Sequence, residues 1–455
     1  MRRTTRRELL TLGGAAALTA MIPAAHGQTL EQLRQRGVLG GGAEARPLRI
    51  GVIAPAKTGL STVATSINDY VGEAARMGAV LGEALVGEQI SVAGMKLELL
   101  HANVPIPTAA ERAVRRMVET GNLCALIGGI GDGQAATIAK ICESASLPFF
   151  NVGESADATR GAGCGRYTFH IEASAAMFLD AMASMGAAQN RRRWFILHEN
   201  SDNGRALQAR AIKAIAKHGA GGQVVGTAAV EREAPVYYNE FNQVQRANAD
   251  IIMLLTYSVD QIAILAQLEN STLQTPVITF PDPISQTRDY LATVRELAPK
   301  YNPRTRVSTW ESTLTEHGAK AFNETYMQRW AEPVDPTGWA SFASMKMIFQ
   351  AVEATQSTAG PDLVRYFERQ DVTFDIGKGP GVNFRPWDHQ LRQPLYAVDI
   401  DQNSEWIRID WTTWVALGKA KGEVQPGAST AGQNLTQRLD LFGDGPTDTT
   451  CRLPA

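Results

Sequence analysis

Residues 124–152 read CALIGGIGDGQAATIAKICESASLPFFNV, and this stretch decides the fold class. Its first four residues, 124–127, form a short apolar run that predicts a buried strand. A helical pattern follows at 135–144, and residues 148–152 predict the next strand. A strand, a helix and a strand in this order are typical of a parallel sheet that is covered by helices on both faces.

The same alternation extends in both directions along the chain. Before the quoted stretch, strands at 48–53 and 96–100 alternate with helices at 67–86 and 109–119. A second series follows, with helices at 175–185, 204–218, 238–247 and 259–268 and strands at 194–198, 224–227, 251–255 and 276–280. We therefore predict two α/β blocks in tandem.

The later segments are too few for a third block, so we expect them to return to the first two. They comprise a strand at 306–310, helices at 319–331 and 341–354, and a hairpin-like stretch at 382–409. The prediction is two doubly wound parallel-sheet lobes, since 455 residues exceed what one core supports. The first lobe is placed at 47–169 plus about 306–380, the second at 170–305 plus about 381–418, and an irregular C-terminal tail at 419–455.

Residues 1–27 carry the basic, apolar and small-residue parts of a signal peptide. The apolar run at 9–22 is too short to span a bilayer. Arg6 and Arg7 resemble the twin-arginine export signal, and an ordinary basic leader is the alternative. Both predict cleavage near Gly27 and a periplasmic location, with a polar, glycine-rich arm or linker at 28–46.

The charge balance excludes one class of partner. Removing residues 1–27 leaves 40 basic and 45 acidic residues, so we expect no nucleic-acid partner. No later apolar run reaches the length of about 18 residues that a membrane span needs. We therefore expect no direct membrane insertion after signal removal.

Four cysteines allow three disulfide pairings in an oxidising compartment. Cys164 lies in a glycine-rich loop and Cys451 in a polar tail, and we favour a bridge between these two exposed positions. Cys124 and Cys142 fall in apolar strand and helix patterns, which favours buried thiols there.

Five short motifs, in this order, resemble the type I periplasmic binding proteins of the leucine/isoleucine/valine and amide-binding branch. They are IGV at 50–52, the turn at 126–134, LPFFNVG at 147–153, HENSDNG at 198–204 and ADII at 249–252. The resemblance covers roughly residues 48–409. It implies two lobes joined by a multi-strand hinge of three crossovers. It also implies a periplasmic solute-binding receptor of an ABC-type importer, whose lobes close on a small polar ligand by hinge bending and which delivers the ligand to a membrane permease. The segment NFRPWDHQLRQPLY at 383–396 is similar to the branch associated with pyrroloquinoline quinone-dependent alcohol dehydrogenase systems.

Ligands of open α/β sheets bind outside the carboxyl ends of the strands, and this rule selects loops in the first block. The glycine-rich turn offers Asp132, Gly133 and Gln134, of which the aspartate could equally be a helix N-cap. The next loop offers Glu154 and Ser155. The resemblance implies hydroxyl side chains in the first turn and a small residue before Ser or Thr in the second, so Asp132, Gly133 and Glu154 depart from it. The turn lacks a full dinucleotide motif, and we expect no cofactor.

The same rule selects three residues of the second block. Asn203 stands where relatives often carry an aromatic residue, Tyr257 matches an aromatic pair, and Asp282 matches a carboxylate for a ligand ammonium group. A buried core tyrosine and a turn aspartate are the structural alternatives for the last two.

Carboxylates are dense around this predicted ligand site. They are Asp132, Glu154, Glu199, Asp202 and Asp282. If three converge, a cationic or polyhydroxylated ligand or a hard metal ion such as calcium becomes reasonable, and a neutral branched amino acid should bind poorly. No Asp-x-Asp-x-Asp-Gly loop supports the metal ion, so we predict no metal site.

The sequence lacks the motifs of common hydrolases, including G-x-S-x-G, His-Glu-x-x-His, a Walker loop and Cys-x-x-Cys. His198 and Glu199 are adjacent on a predicted strand and would point to opposite faces. We therefore predict a binding protein and no enzyme. A periplasmic ligand sensor, a metal-ion-binding protein on this fold and a periplasmic hydrolase or lyase are the alternatives.

Overall fold

The structure is a computed structural model that describes residues 46–55, 68–92, 94–104, 107–131, 133–301, 306–400, 418–425 and 437–453. The predicted signal at 1–27 lies outside the described residues, as do 28–45 of the predicted arm. Asp132, one of the predicted ligand-binding residues, also lies outside them.

Five parallel strands form a first sheet in the order β2-β1-β3-β4-β5. They are β1 (Arg46–Ala54), β2 (Met95–Asn103), β3 (Ala125–Gly128), β4 (Phe149–Asn151) and β5 (Thr168–His170), connected through α1 (Asn68–Val92), α2 (Pro107–Gly121) and α3 (Gln134–Ser144). Ala125 and Ile127 enter one hydrophobic cluster, whereas Leu126 between them enters the cluster on the opposite face. Both faces are buried because successive side chains alternate, which explains why the strand reads as a continuous apolar run.

Four parallel strands form a second sheet in the order β7-β6-β8-β9. They are β6 (Arg193–Glu199), β7 (Gln223–Val230), β8 (Ile251–Leu255) and β9 (Val277–Thr279), accompanied by α4 (Ala175–Ala188), α5 (Asp202–His218), α6 (Tyr238–Arg246), α7 (Ser258–Glu269) and α8 (Arg288–Leu297). Alternate residues of β8 again divide between two clusters. The structure therefore confirms the predicted α/β class with two parallel-sheet lobes.

Three later helices return to the first lobe. They are α9 (Ala319–Trp330), α10 (Pro336–Thr355) and α11 (Gly360–Phe367), and their apolar residues join the core beneath the first sheet. Helix α10 lies against α1 so closely that a Cβ on Gly78 would be 1.9 Å from the carbonyl oxygen of Gly338. Only glycine permits this approach. None of the described helices has the length and apolar character needed to cross a membrane.

The chain passes between the lobes three times before residue 400. Ile171 belongs to the core of the first lobe and Ala173 to that of the second. The second passage lies between Val307 and Trp310, and the third lies between residues 391 and 395. A three-stranded antiparallel sheet of β10 (Arg306–Ser308), β11 (Tyr396–Ile400) and β12 (Gly418–Glu423) accompanies the last two passages.

The predicted lobe boundaries differ from the structure at 381–391. We expected this segment in the second lobe, but Val382, Phe384 and Leu391 lie in the core of the first. The physical reason is an open sheet edge, since β5 is the outermost strand. The amide of His170 donates to the carbonyl oxygen of His389 at 3.0 Å, and this pairing covers the exposed edge.

Buried polar groups connect the passages between the lobes. Glu172, only 1 % exposed, follows β5, and its Oε1 accepts a hydrogen bond at 3.2 Å from Gln286, which lies just before α8. The Arg160 guanidinium donates to the carbonyl oxygen of Glu172 at 2.8 Å and to Gln390 Oε1 at 2.6 Å. Gln286 Oε1 also accepts a hydrogen bond from Ser308 Oγ of the second passage at 3.0 Å, and Gln393 of the third passage donates to the carbonyl oxygen of Ile171 at 2.7 Å, so these buried contacts include all three connections.

The tail contains ordered contacts that the sequence did not predict. Residues 437–453 form what we call the strap, since they contact both lobes: Leu439 packs in the core of the first lobe and Phe442 in that of the second. Cys451 then forms a disulfide with Cys164 of the first lobe, which is the pairing that the sequence favours. The expectation of an irregular tail is wrong for residues 419–423, which belong to strand β12 because β11 offers them an unpaired edge.

The two remaining cysteines are buried free thiols. Burial raises the pKa of the Cys124 thiol to about 12, and it raises the pKa of Cys142 still further. Both therefore stay protonated and unreactive at neutral pH.

Candidate functional site

The candidate site lies where the carboxyl ends of both sheets face each other. Tyr257, directly after β8 of the second sheet, packs against the hydrophobic cluster of the first lobe. A buried ion pair also crosses between the lobes, from Arg288 Nε at the start of α8 to Asp335 Oδ1 before α10, at 3.1 Å. The loops at these strand ends are therefore brought together, as ligand sites in α/β sheets require.

Glycines shape the turn between β3 and α3. Gly129, Gly131 and Gly133 have φ values of 86°, 114° and 70°, a region that disfavours side chains. A Cβ on Gly129 would lie 2.6 Å from Asn151 Oδ1, so the glycine leaves room for that buried amide. The turn thus brings the backbone of β3 close to the neighbouring loop after β4.

Glu154, on that neighbouring loop, reaches across to the turn. Its Oε2 accepts a hydrogen bond from the Gly133 amide at 3.1 Å, and its Oε1 accepts one from the Ala156 amide at 3.3 Å. Asn151 holds the Glu154 backbone through both of its side-chain polar atoms, at 2.7 and 2.9 Å. Two predicted site residues from separate loops, Gly133 and Glu154, are therefore in direct contact.

Gln134 and Ser155 complete the first-lobe side of the site. Gln134 begins α3, is 2 % exposed, and its Oε1 has no hydrogen-bond partner in the part of the chain that the structure describes. Ser155 is half-buried, and its carbonyl oxygen accepts a hydrogen bond at 2.7 Å from the amide of Ala175 in the second lobe. The loop that carries Glu154 is therefore tied to the passage between the lobes.

Tyr257 has charged neighbours at the carboxyl edge of the second sheet. The Arg232 guanidinium lies over its ring, 5.3 Å from the centroid, and Arg232 Nη2 is 3.0 Å from Glu199 Oε1. Sequence reasoning missed Arg232 as a site residue. Its position two residues after β7 satisfies the same strand-end rule and could have revealed it.

Asp282 stabilises its own turn. Its Oδ1 accepts hydrogen bonds from the amides of Ile284 and Ser285 at 2.8 and 2.9 Å. The side chain is half-buried near the end of β9, as the strand-end rule requires, and it also serves as the turn aspartate that we gave as the alternative.

Asn203 lies apart from these contacts, exposed in the first turn of α5 beside the equally exposed Asp202. The Asp202 carboxylate pairs with Arg205 of the same helix at 2.5 Å. A Cβ on the next residue, Gly204, would lie 1.9 Å from the carbonyl oxygen of Glu199, so the start of α5 is pressed against the end of β6.

Two hydroxyls at the end of β8 have no hydrogen-bond partner in the described part of the chain. Thr256 Oγ1 and Ser258 Oγ are buried, and neither has a hydrogen-bond partner among the described residues. Buried hydroxyls usually bond to protein, water or a ligand. The hydroxyls of Thr256 and Ser258 flank Tyr257 and add uncharged polar groups to the second-lobe side of the site.

Among the predicted carboxylates that the structure describes, no three come together as a metal-binding group. Glu154, Glu199 and Asp282 each bond to a different local partner, as described above. Within the residues that the structure describes, no group of three His, Cys, Asp or Glu side chains could hold a metal ion. The arrangement therefore gives no support to the metal-ion alternative.

A model of the periplasmic binding protein family matches residues 47–405 of the chain. A search of curated proteins finds no match. The structure resembles a periplasmic binding protein from Burkholderia mallei, with 17% identity, a TM-score of 0.69, and coverage of 90% of this chain and 99% of that one. An amino acid ABC transporter substrate-binding protein from Pseudomonas fluorescens is similar at 16% identity, TM-score 0.69, and coverage of 90% and 100%. A Rhodopseudomonas palustris ABC transporter solute-binding protein in complex with benzoate is similar at 14% identity, TM-score 0.66, and coverage of 85% and 98%.

These structural likenesses are too distant in sequence to show more than the fold. The family match, however, spans most of the chain and agrees with the two parallel-sheet lobes and their three connections. The chain therefore belongs to the periplasmic binding protein family, which makes it a binding protein and not an enzyme.

Proposed function

We propose that this protein is the solute receptor of an ABC-type importer, which closes its lobes on a small polar ligand and presents it to a membrane permease. The observation that supports this function best is the juxtaposition of polar strand-end loops from two separate sheets. We place Tyr257, Arg232 and Glu199 on one side of the site and the Gly133 to Gln134 turn with Glu154 on the other, a proposal supported by the packing of Tyr257 against the first lobe. A ligand in this position would contact both lobes and stabilise their closure.

The lining suits a ligand of moderate polarity. It combines one aromatic ring, an arginine–glutamate pair and buried uncharged hydroxyls, and each predicted acid that the structure describes is bound to a donor of the chain. Similar solved proteins include one in complex with 3,4-dihydroxybenzoic acid and one named as a leucine-binding protein. We propose Gly133, Gln134, Glu154, Ser155, Tyr257 and Asp282 as contact residues, and Asn203 as a residue that reaches the ligand only if the lobes close further.

Ligand release and small-angle scattering test the proposal. The protein is purified without denaturant and is then unfolded to release any bound small molecule. Mass spectrometry identifies the released molecule. Adding that molecule to the stripped, refolded protein should reduce the radius of gyration. In Tyr257→Ala, the loss of the aromatic contact should raise the ligand concentration needed for this compaction at least about tenfold. The exposed Tyr238→Ala is the matched control. Absence of both a bound molecule and any compaction across amino acids, amides and aromatic acids would contradict the proposal.

We also propose that the chain is exported through its twin-arginine motif. The support is the position of Arg6 and Arg7 before the apolar run. Replacing both with lysine should abolish periplasmic accumulation, and full export of that variant would assign the signal to the general secretory route.

The segment at 383–396 supports a proposed association with pyrroloquinoline quinone-dependent alcohol dehydrogenase systems. Its residues lie beside β5 and in the passage between the lobes, and we take them to bear on biological context rather than on ligand chemistry. Deleting the gene should impair growth on alcohols and leave growth on sugars unchanged. Equal growth on both would contradict the association.

A further inference from the structure

The amino end of α3 offers donors to a negative charge. This helix has 11 residues, begins at Gln134, and its N-cap residue Gly133 has no side chain that could cap it. The first amides of a helix lack partners within the helix, and its dipole places a partial positive charge there. Such an end, at the carboxyl edge of a parallel sheet, is a natural position for the carboxylate of a ligand.

In this protein the carboxylate comes from the chain itself. Glu154 Oε2 accepts the hydrogen bond of the Gly133 amide at 3.1 Å, and its Oε1 accepts that of Ala156 at 3.3 Å. The loop that carries Glu154 is fixed by Asn151, which is fully buried and bonds to the Glu154 amide and carbonyl. The charge is therefore held at the helix end before any ligand arrives.

A second observation shows which chemical groups this side of the site still lacks. Gln134, the first residue of the helix, is 98 % buried, and its Oε1 has no hydrogen-bond partner among the described residues. Its side-chain amide lies over the same turn, because a Cβ on Gly131 would be 3.0 Å from Gln134 Nε2. An unpartnered buried carbonyl oxygen needs a hydrogen-bond donor.

We propose that Glu154 determines specificity by occupying, within the chain, the position that a ligand carboxylate would otherwise take. The site then selects molecules that bring hydrogen-bond donors and no carboxylate to the turn, such as primary amides or amines. A carboxylate-bearing ligand would meet the charge of Glu154 and would find the Gly133 amide already bonded. This inference rests on the proposed ligand-binding function and names the class of molecule that it accepts.

Two variants of Glu154 and two kinds of probe test the inference. Titration calorimetry compares benzamide with benzoate and leucinamide with leucine. The native protein should bind the amide of at least one pair at least about tenfold more tightly than the acid, whereas Glu154→Ala should remove or reverse that preference. Glu154→Gln keeps an oxygen for the Gly133 amide without the charge, and should lie between the two. The exposed Glu119→Ala on α2 of the same lobe should behave as the native protein does.

A measurement that needs no ligand makes the result decisive. Acetate should raise the melting temperature of Glu154→Ala relative to chloride at equal ionic strength, because it enters the vacated helix end, and should leave the native protein unchanged. The inference would be overturned if acetate stabilised the native protein and Glu154→Ala equally, or stabilised neither of them. It would also be overturned if the native protein bound benzoate more tightly than benzamide, or leucine more tightly than leucinamide. These outcomes leave the proposed receptor function intact, since that function is judged by ligand release and compaction.

Discussion

Glu172 should make the stability of this protein depend on pH. The side chain is 1 % exposed in the passage between β5 and α4, and burial raises its pKa from 4.5 to about 8. The Gln286 hydrogen bond and the charges of Arg160 and Lys378 oppose this rise. The charge of Asp282 raises it further. The folded protein therefore keeps a proton that the unfolded chain loses above about pH 4.5.

The sign and size of the effect follow from linkage. The contribution of Glu172 is complete below about pH 4.5 and is lost as the pH rises toward 8, because the unfolded chain binds fewer protons over this range. At about pH 7 the difference between the pKa of Glu172 in the folded and the unfolded chain corresponds to a loss of stability of at most roughly 3 kcal/mol. Glu172→Gln removes this loss and keeps the size of the side chain.

Thermal melts from about pH 5 to about pH 8 measure the effect as the difference between variant and native protein. Glu311, whose pKa burial raises to about 7, also contributes, but it does so equally in both proteins. The difference should grow with pH in favour of Glu172→Gln, and the exposed Glu296→Gln should show no such trend. A difference that is constant with pH, or that shrinks as pH rises, would refute the reasoning.

Three further predictions follow from the fold. Cys451→Ser opens a loop of 287 residues and should lower the free energy of unfolding by up to about 5 kcal/mol in the chain-entropy model, measured by urea denaturation; equal stability of native and variant would contradict it. Gly78→Ala should lower the free energy of unfolding by about 1 to 3 kcal/mol, because its Cβ meets the carbonyl of Gly338. Gly87→Ala in the same helix has open space around it and should raise the free energy of unfolding by about 0.5 to 1 kcal/mol, so the two variants should shift the melting temperature in opposite directions. Asp282→Ala should cost about 1 to 2 kcal/mol through the loss of its two backbone hydrogen bonds, and Asp282→Asn, which keeps the acceptor, should melt close to the native protein.

The sequence predicts the elements well because their signals are local. Strand β8 is a continuous apolar run and appears at its predicted bounds. Most other strands end within a residue or two of theirs, whereas β2 and β7 extend three residues further. The pairing of Cys164 with Cys451 was also favoured, since the residue types around the four cysteines distinguish loops from core.

Contacts between distant segments were beyond local reasoning. The pairing of His389 with the edge strand β5 depends on which strand is outermost, and no pattern in the sequence states that order. The bond between Glu154 and the Gly133 amide joins loops that become neighbours only because β3 and β4 are adjacent. The sequence predicted both residues as ligand contacts, but it did not predict that the Glu154 carboxylate would bond to the amino end of α3.

The bridge from Cys164 to Cys451 also bears on the order in which the molecule can be completed. The covalent ring contains the whole second sheet and helices α9 to α11, which cover the first sheet. A chain synthesised from its amino end has all five strands of the first sheet long before residues 336–367 can bury them, whereas the second sheet and its helices form one contiguous stretch. The second sheet and its helices can therefore form first, whereas one face of the first sheet stays open until residues 336–367 have been made. Since Cys164 has its partner only after residue 451 has been made, the oxidised bridge marks molecules whose synthesis has passed every element of the fold.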